Sequence, residues 1–307
     1  MKRRDFLKTA GLTLAAAALG DRIVLGEPAP SQPPPAPVAW PDVVRIENGE
    51  PAALLRAALQ KMGGMGRFIS RGDVVVIKPN IGWDRPPELA ANTNPELVAE
   101  LVKECLQAGA KRVKIFDRTC NNPLRCYANS GIEAAAAAVG AEVSHIDESR
   151  FKEISLKSGE VLKTWPIYQD YLEADKIINV PIAKHHGLSR LTLGLKNLMG
   201  VMGGSRGQLH NNFQKKLIDV VSEILPTLTV IDAYRILTDN GPSGGYPADV
   251  KLTRTLVMSP CPVAADMAVL DLFEVQAESL PYLQEAIARK LNRVDLAALK
   301  VDKTVLN

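Results

Sequence analysis

Residues 74–80 read VVVIKPN, and residues 94–117 read NPELVAELVKECLQAGAKRVKIFD. Residues 74–78 form a continuous, largely apolar run that leads into Pro-Asn, which is typical of a strand buried on both faces of a sheet. Asn94 is predicted to cap a helix that has Pro95 at its first position and ends at Gly109. Residues 113–116 are the next predicted strand. This order of elements indicates a unit of two parallel strands joined by a helix.

The same alternation continues through the rest of the chain. Helices are predicted at residues 132–139, 213–225 and, as a series, 263–299, and strands at residues 141–146, 177–182 and 228–232. Residues 250–258 alternate like an edge or antiparallel strand, and residues 151–163 alternate around Ser158 and Gly159, which predicts a hairpin. The predicted fold class is therefore α/β, with a mostly parallel sheet, helices on both faces and a small β-hairpin insertion.

Residues 184–210, KHHGLSRLTLGLKNLMGVMGGSRGQLH, are the richest in groups that carry chemistry. They contain three of the four histidines of the chain and six glycines, and they follow the apolar run 177–182 as a loop follows a strand end. Histidine can act as a base or a metal ligand, lysine as a fixed charge or covalent anchor, and glycine leaves room for a ligand. A polar surface loop followed by an ordinary helix is the alternative interpretation.

The segment supplies most of the candidate site residues. We predict catalytic roles for His186 and Lys196, and ligation of a transition metal by His186 and His210. Glycine amides can cradle a phosphate or carboxylate that an arginine clamps. Cofactor binding is predicted for Lys184, Asn197, Gly203, Gly204 and Arg206.

Polar side chains also stand at the ends of the predicted strands. They are Lys78 and Asn80, Asp117, Lys184 with His185 and His186, and Asp232. Ligands of open α/β sheets bind beyond the carboxyl ends of the strands, so we expect Lys78, Asp117, His186 and Lys196 to surround one cavity. Asp117 is predicted to be catalytic, and Lys78 and Asn80 to bind a cofactor. Taken singly, Lys78 could extend from a strand end toward solvent and the aspartates could cap loops.

The N-terminus begins MKRRDFLK, with Arg3 and Arg4 ahead of a short apolar stretch. This pattern resembles a twin-arginine export signal, here residues 1–29, and implies the twin-arginine translocase as a partner and a periplasmic or exported location. The cleavage signature is poor, so a cut between residues 18 and 39 and retention as a membrane anchor both remain open. Residues 30–41 are a proline-rich linker, and residues 42–307 are assigned to the α/β domain.

Charge and cysteine content exclude some classes of function. Lys and Arg number 37 against 34 Asp and Glu, and this near-neutral balance argues against a nucleic-acid partner. The four cysteines include no C-x-x-C pair, which argues against an iron–sulfur cluster or a zinc ribbon. Cys120 and Cys126 flank a loop that contains proline, and both a disulfide and two free thiols remain open.

Several of these motifs occur together in a known family. The segments VVVIKPN, NTNPELV, NVPIAKHH, TLGLKNLMG, a later His210, VIDA and NGP occur in this order. They resemble the uncharacterised family catalogued as domain of unknown function 362, and the resemblance covers residues 72–273. Some relatives add a ferredoxin module whose cysteines this chain lacks. The resemblance implies a domain boundary and no established reaction.

A shorter segment is similar to nickel-dependent lactate racemase. His186, Lys196, Gly200 and His210 stand in the order of a histidine, a lysine ten residues later, a glycine and a second histidine in that family. There the lysine anchors a nickel-pincer nucleotide and the histidines serve as metal ligand or acid and base. The TLGLK turn departs from the glycine-rich turn of that family, and its paired-histidine motif is missing. Nickel is therefore an expectation drawn from one short segment.

Two functions from different classes follow. The chain is either an exported α/β enzyme that uses a metal or an organic cofactor for redox or proton-transfer chemistry, or an exported binding or assembly protein for a small anionic ligand. The export signal favours the enzyme, and the absence of a recognised catalytic triad or a dense cluster of ligands favours the binding protein.

Overall fold

A mixed, mostly parallel sheet forms the centre of the protein. The computed structural model describes residues 39–291 and 294–307, and within them Trp40–Asn307 forms one compact unit. The strands are β1 (Val43–Glu47), β2 (Val74–Pro79), β3 (Arg112–Ile115), β4 (Glu142–Val143), β5 (Phe151–Ser155), β6 (Thr164–Tyr168), β7 (Lys176–Val180), β8 (Ile182–His186), β9 (Arg190–Thr192), β10 (Leu228–Leu237), β11 (Val250–Ser259) and β12 (Val301–Val305). The helices are α1 (Pro51–Lys61), α2 (Pro95–Gln107), α3 (Pro123–Asn129), α4 (Ile132–Ala137), α5 (Gln169–Leu172), α6 (Gly194–Asn197), α7 (Phe213–Val221), α8 (Pro262–Met267) and α9 (Pro281–Ala288).

The main sheet has the strand order β12-β1-β11-β10-β7-β2-β3-β4. Strands β10, β7, β2, β3 and β4 are parallel neighbours, whereas β11 runs antiparallel to both β10 and β1. Strands β5 and β6 form a separate antiparallel hairpin. The predicted α/β class and the hairpin insertion are thus confirmed, and β11 is an interior antiparallel strand rather than an edge.

Helices cover both faces of the sheet. One hydrophobic core packs α1 to α4 against β2 and β3, and a second packs α6 to α9 with the hairpin against the opposite face. In α2 the Asn94 side chain accepts a hydrogen bond from the Glu96 amide, so the predicted cap is present. No helix in the described part of the chain combines the length and the apolar character that crossing a membrane requires.

Some predicted segments differ from the structure only in their ends, such as the strand at 141–146, which is β4, and the helix at 213–225, which is α7, whereas two differ in their organisation. The predicted strand 177–182 is divided into β7 and β8 at Pro181, because proline has no amide hydrogen to donate to a neighbouring strand. Strand β8 then runs to His186 and pairs with the later part of β10. The predicted helical series 263–299 consists of α8 and α9 joined by 3₁₀ turns, and it is followed by β12, an edge strand that pairs with β1. Strand β12 is largely exposed, so it lacks the apolar run that indicates a buried strand.

Candidate functional site

A cavity of about 220 Å³ opens at the carboxyl ends of β2, β3 and β8. Its walls come from those strand ends, from α6 and from the loop that follows α6. The predicted site residues on it are Lys78, Asn80, Asp117, Lys184, His186, Lys196, Asn197, Arg206 and His210. The cavity is also lined by residues to which the sequence assigned no role in the site, namely Gly82, Trp83, Arg118, Cys120, Thr192, Met199, Gly200, Gly207 and Pro242. The structure therefore brings Lys78, Asp117, His186 and Lys196 to one cavity, although they come from distant parts of the chain.

The floor of the cavity is a buried ion pair. Lys78 Nζ lies 2.8 Å from Asp117 Oδ1, and both side chains are almost fully buried. Lys78 Nζ also donates to the Pro79 carbonyl (2.8 Å) and to Asn197 Oδ1 (3.1 Å). Burial lowers the pKa of Lys78, and the Asp117 carboxylate opposes that shift. Since an ammonium group has three donors, Lys78 is fully engaged with the protein.

The second Asp117 oxygen is engaged as well. Its Oδ2 accepts a hydrogen bond from the Ile81 amide at 2.6 Å. The chain crosses the pair at Gly200, where a Cβ atom would overlap Asp117 Oδ1 and lie 2.6 Å from Lys78 Cε. A glycine is required here because the backbone approaches the carboxylate directly. Asp117 therefore organises the floor of the cavity.

A chain of amide side chains links the strand ends to α6. Asn80 Nδ2 donates to Asn197 Oδ1, and Asn197 Nδ2 donates to Asn179 Oδ1, both at 2.9 Å. Asn179 Nδ2 continues to the Gly194 carbonyl at 2.8 Å. Asn179 was not predicted, although an amide inside the apolar strand β7 is a signal that it has a specific partner. This chain fixes the position of α6 relative to β2 and β7.

Two further lysines lie in the walls without a carboxylate partner among the described residues. Lys184 Nζ donates to the Ala91 carbonyl (2.5 Å) and Asn80 Oδ1 (3.1 Å), whereas Lys196 Nζ has Thr192 Oγ1 at 3.4 Å. Burial lowers the pKa of each to about 7, and Lys196 contributes to the shift of Lys184. Each amine therefore lies near the balance between its charged and neutral forms at neutral pH.

The three histidines of the segment have different surroundings. His185 Nδ1 accepts the Gly241 amide at 3.1 Å, which holds the NGP loop, and Pro242 of that loop reaches the cavity. His186 Nδ1 accepts the amides of Leu188 (3.1 Å) and Ser189 (3.4 Å), so its proton in the neutral ring lies on Nε2. Burial, with Lys196 next, lowers the pKa of His186 to about 3. His186 is thus a neutral ring on the cavity wall.

His210 is the outermost of the predicted site residues. Its ring stacks on Phe213 with centroids 5.5 Å apart and an interplanar angle of 17°. Burial lowers its pKa, and the charge of Lys196 acts in the same direction. It therefore stands at the rim, between the cavity and α7.

The glycine-rich turn has a structural role in this geometry. Arg206 donates to the carbonyls of Arg118 and Thr119, each at 2.9 Å. The Gly203 amide donates to the Pro166 carbonyl at 2.8 Å, and neither Gly203 nor Gly204 lines the main cavity. Gly200 and Gly207 of the same turn do line it, and Gly204 lines an adjoining pocket together with Arg206, so cofactor binding by Gly203 and Gly204 stays a prediction. Arg206 still reaches the cavity with donors to spare.

Two buried aspartates hold the first residues of helices near the site, Asp266 those of α6 and Asp232 those of α2. Asp266 Oδ1 and Oδ2 accept the amides of Gly194 (2.6 Å) and Leu195 (3.1 Å), immediately before Lys196. Burial raises the pKa of Asp266 to about 7. Asp232, which was predicted to stand at a strand end, lies inside β10 and accepts the Asn94 amide at 2.7 Å, so it anchors the start of α2. Asp266 was not predicted; an aspartate within the apolar stretch PVAADMAV was the available signal.

Cys120 and Cys126, for which the sequence allowed either a disulfide or two thiols, are not bonded to each other. Cys120 is exposed and Cys126 is buried, and both are free thiols. Cys126 Sγ lies 3.7 Å from the Gly82 carbonyl, and the Cys120 amide donates to the same carbonyl at 2.8 Å. The two residues therefore meet at Gly82 without a disulfide.

Most of the main sheet and the whole cavity lie in a region that matches a known family. A family model described as Domain of unknown function (DUF362) matches residues 75–271. The chain belongs to this family. The matched DUF362 region contains every residue of the cavity floor and walls, and it ends just before the predicted limit at residue 273.

The DUF362 chain is similar to a named relative and to two solved structures. The Thylakoid-associated protein sll1697 of Synechocystis sp. is 28% identical over 243 residues, which are 76% of this chain and 74% of that protein. The lactate racemase apoprotein from Thermoanaerobacterium thermosaccharolyticum is similar with a TM-score of 0.43 and 14% identity, over 69% of this chain and 53% of that chain. A Thermotoga maritima protein is similar with a TM-score of 0.40 and 10% identity, over 73% of this chain and 60% of that chain.

The side chains of the site offer few ligands for a metal ion. Among residues 39–291 and 294–307, no group of three or more His, Cys, Asp or Glu side chains is arranged to hold a metal. A ligating imidazole uses one nitrogen for the metal and donates from the other. His186 has the opposite arrangement, because its Nδ1 accepts two amides and its Nε2 carries the proton. Ligation by His186 and His210 stays a prediction, and the geometry favours a donor role for His186.

Proposed function

We propose that this cavity binds a small anion rich in hydrogen-bond acceptors, such as a carboxylate or a phosphate, and that the chain is an enzyme of proton-transfer type. The observation that carries the proposal is an excess of unused donors. Lys184 has one ammonium donor left, Lys196 has at least two, and Arg206 retains donors beyond the two that it gives to backbone carbonyls.

The carboxylate and amide oxygens of the cavity already face donors of the protein. Asp117 is bound to Lys78 and to the Ile81 amide, and the oxygens of Asn80 and Asn197 accept from lysines. His186 adds a further donor at Nε2. A group that supplies acceptors and negative charge would complete these donors, and charge-assisted hydrogen bonds are the stronger kind.

Lys196 is the group best suited to move a proton. It is buried, its pKa lies at about 7, and its Nζ has one polar partner at 3.4 Å among the described residues. A group whose pKa is close to the working pH can both accept and release a proton in a reaction cycle. In this mechanism Lys184 and Arg206 bind the anion, Nε2 of His186 orients it, and Lys196 exchanges the proton.

Anion-dependent thermal stability tests the proposal. Acetate and inorganic phosphate, compared with chloride at equal ionic strength, should raise the melting temperature in a saturable way. Lys184→Gln should weaken binding by about 1.5–3 kcal/mol, which is roughly tenfold to a hundredfold in Kd. Lys152→Gln, at an exposed lysine of the hairpin, is the matched control and should leave binding unchanged. Equal melting curves in all three salts would refute the proposal.

A non-catalytic anion-binding protein is the second candidate. The observation in its favour is that the cavity carboxylate, Asp117, is paired with Lys78 and accepts the Ile81 amide, which favours a structural role over that of a base. The two candidates differ in one measurement. An enzyme of this type should exchange hydrogen from the carbon next to a bound carboxylate into deuterium oxide, and Lys196→Gln should abolish the exchange while anion binding persists.

Export remains a proposal that rests on Arg3 and Arg4, which lie outside the described residues. A relative named for its association with thylakoids is consistent with a chain that meets a membrane, and the twin-arginine translocase is the proposed partner. Replacing both arginines with lysine should keep the protein in the cytoplasm without changing the melting temperature of the domain. Export at the wild-type level would contradict this assignment.

A further inference from the structure

The three cavity lysines differ in how far the protein satisfies their amines. Lys78 Nζ has three partners between 2.8 and 3.1 Å, and Lys184 Nζ has two between 2.5 and 3.1 Å. Lys196 Nζ has Thr192 Oγ1 at 3.4 Å, beyond the usual range for a hydrogen bond. Within the described part of the chain, Lys196 is thus the least engaged amine of the three, even though its side chain is more than nine-tenths buried.

The surroundings of Lys196 suit a reactive amine. Its Nζ lies 5.9 Å from the centroid of the Phe213 ring, so one side of the amine faces an aromatic surface. Lys184 and Arg206 line the same cavity and carry like charge. An amine that is desolvated and placed beside other cations is held partly in its neutral, nucleophilic form. Burial lowers the pKa of Lys196 to about 7, in agreement with this arrangement.

We propose that Lys196 forms a Schiff base with the carbonyl carbon of a small oxo acid whose carboxylate is held by Lys184 and Arg206. This inference rests on the proposed anion-binding function and names its substrate class. The neutral amine nitrogen attacks the carbonyl carbon, the two amine hydrogens leave with the carbonyl oxygen as water, and a carbon–nitrogen double bond remains. No oxidant, reductant or further reactant is consumed.

An imine explains why donors and a free amine share one cavity. The carboxylate of an oxo acid supplies the acceptors that Lys184, Arg206 and His186 lack. Its carbonyl group supplies an electrophile that a carboxylate alone does not have. A protonated imine withdraws electrons from the neighbouring carbon, which makes a carbon-bound hydrogen acidic and connects this step to the proposed proton transfer.

Reductive trapping with pyruvate tests the proposal on the full chain. The protein is incubated at neutral pH with pyruvate and sodium cyanoborohydride, which reduces an imine to a stable carboxyethyl amine, and the modified lysine is located by peptide mass spectrometry. We expect modification of Lys196 at least about tenfold above that of exposed Lys152, because the Lys196 amine is desolvated beside like charges and is held partly neutral. Lys196→Gln should lose the modification and Lys152→Gln should keep it.

Propionate separates the two proposals, because it carries the carboxylate without the carbonyl group. Propionate should stabilise the protein and slow the trapping of pyruvate at Lys196. If propionate stabilises the wild type but Lys196 is modified no faster than Lys152, the Schiff-base proposal is wrong and anion binding stands. If neither acid binds and no lysine is modified preferentially, both proposals fail. The ratio of modification at Lys196 and Lys152 is measured on the wild-type protein, so the test does not depend on the folding of the Lys196 variant.

Discussion

Replacing Lys78 with methionine should destabilise the protein strongly. The substitution removes three contacts of Nζ and leaves the Asp117 carboxylate buried, with the Ile81 amide as its remaining donor. Removal of one partner of a buried ion pair costs about 3–5 kcal/mol, because the other charge is left uncompensated. The total stability of a domain is about 5–15 kcal/mol, so a large part of it is lost.

Urea unfolding followed by circular dichroism measures this effect. Lys61→Met is the matched control, because Lys61 pairs with Asp302 at 3.2 Å on the surface and should cost less than about 1 kcal/mol. The double variant Lys78→Met with Asp117→Asn removes the stranded charge, so it should be more stable than Lys78→Met alone by about 0.5–3 kcal/mol. A loss below about 1 kcal/mol for Lys78→Met, or a double variant no better than the single one, would refute the account of Lys78 as a scaffold.

Three further predictions concern the surroundings of the cavity. The pKa of Asp266 is raised to about 7, so the native state holds this proton more tightly than the unfolded state, and the unfolding free energy should fall as pH rises from about 4 to 7. Asp266→Asn should flatten that part of the curve, and an unchanged difference between the two proteins across this range would contradict it. Gly200→Ala should prevent normal folding or anion binding because its Cβ overlaps Asp117 Oδ1, whereas Gly207→Ala, where a Cβ meets no neighbour, should be tolerated. An anionic thiol reagent should modify Cys120 in the native protein, and the three buried cysteines should react after denaturation alone; a native protein without a reactive thiol would show that Cys120 is covered.

Local patterns predicted the α/β class because each depends on neighbours in the chain. The apolar run of β2, the Asn94 cap and the helical spacing of α2 are set within a few residues, and the structure agrees with all three. The prediction for the C-terminal region was wrong for the same reason. Strand β12 is short and largely exposed, and its partner β1 lies more than 250 residues away, so no local pattern marks it.

The gathering of Lys78, Asp117, His186 and Lys196 could be predicted because parallel strands place their carboxyl ends at one edge of a sheet. The hydrogen-bond partners and the charge of each group could not be predicted. The same residue type is saturated at Lys78, partly satisfied at Lys184 and almost unpartnered at Lys196, and these differences come from burial and from contacts between distant segments. The sequence thus determines which polar residues meet at the cavity, whereas the packing around each side chain decides its charge and its hydrogen bonds.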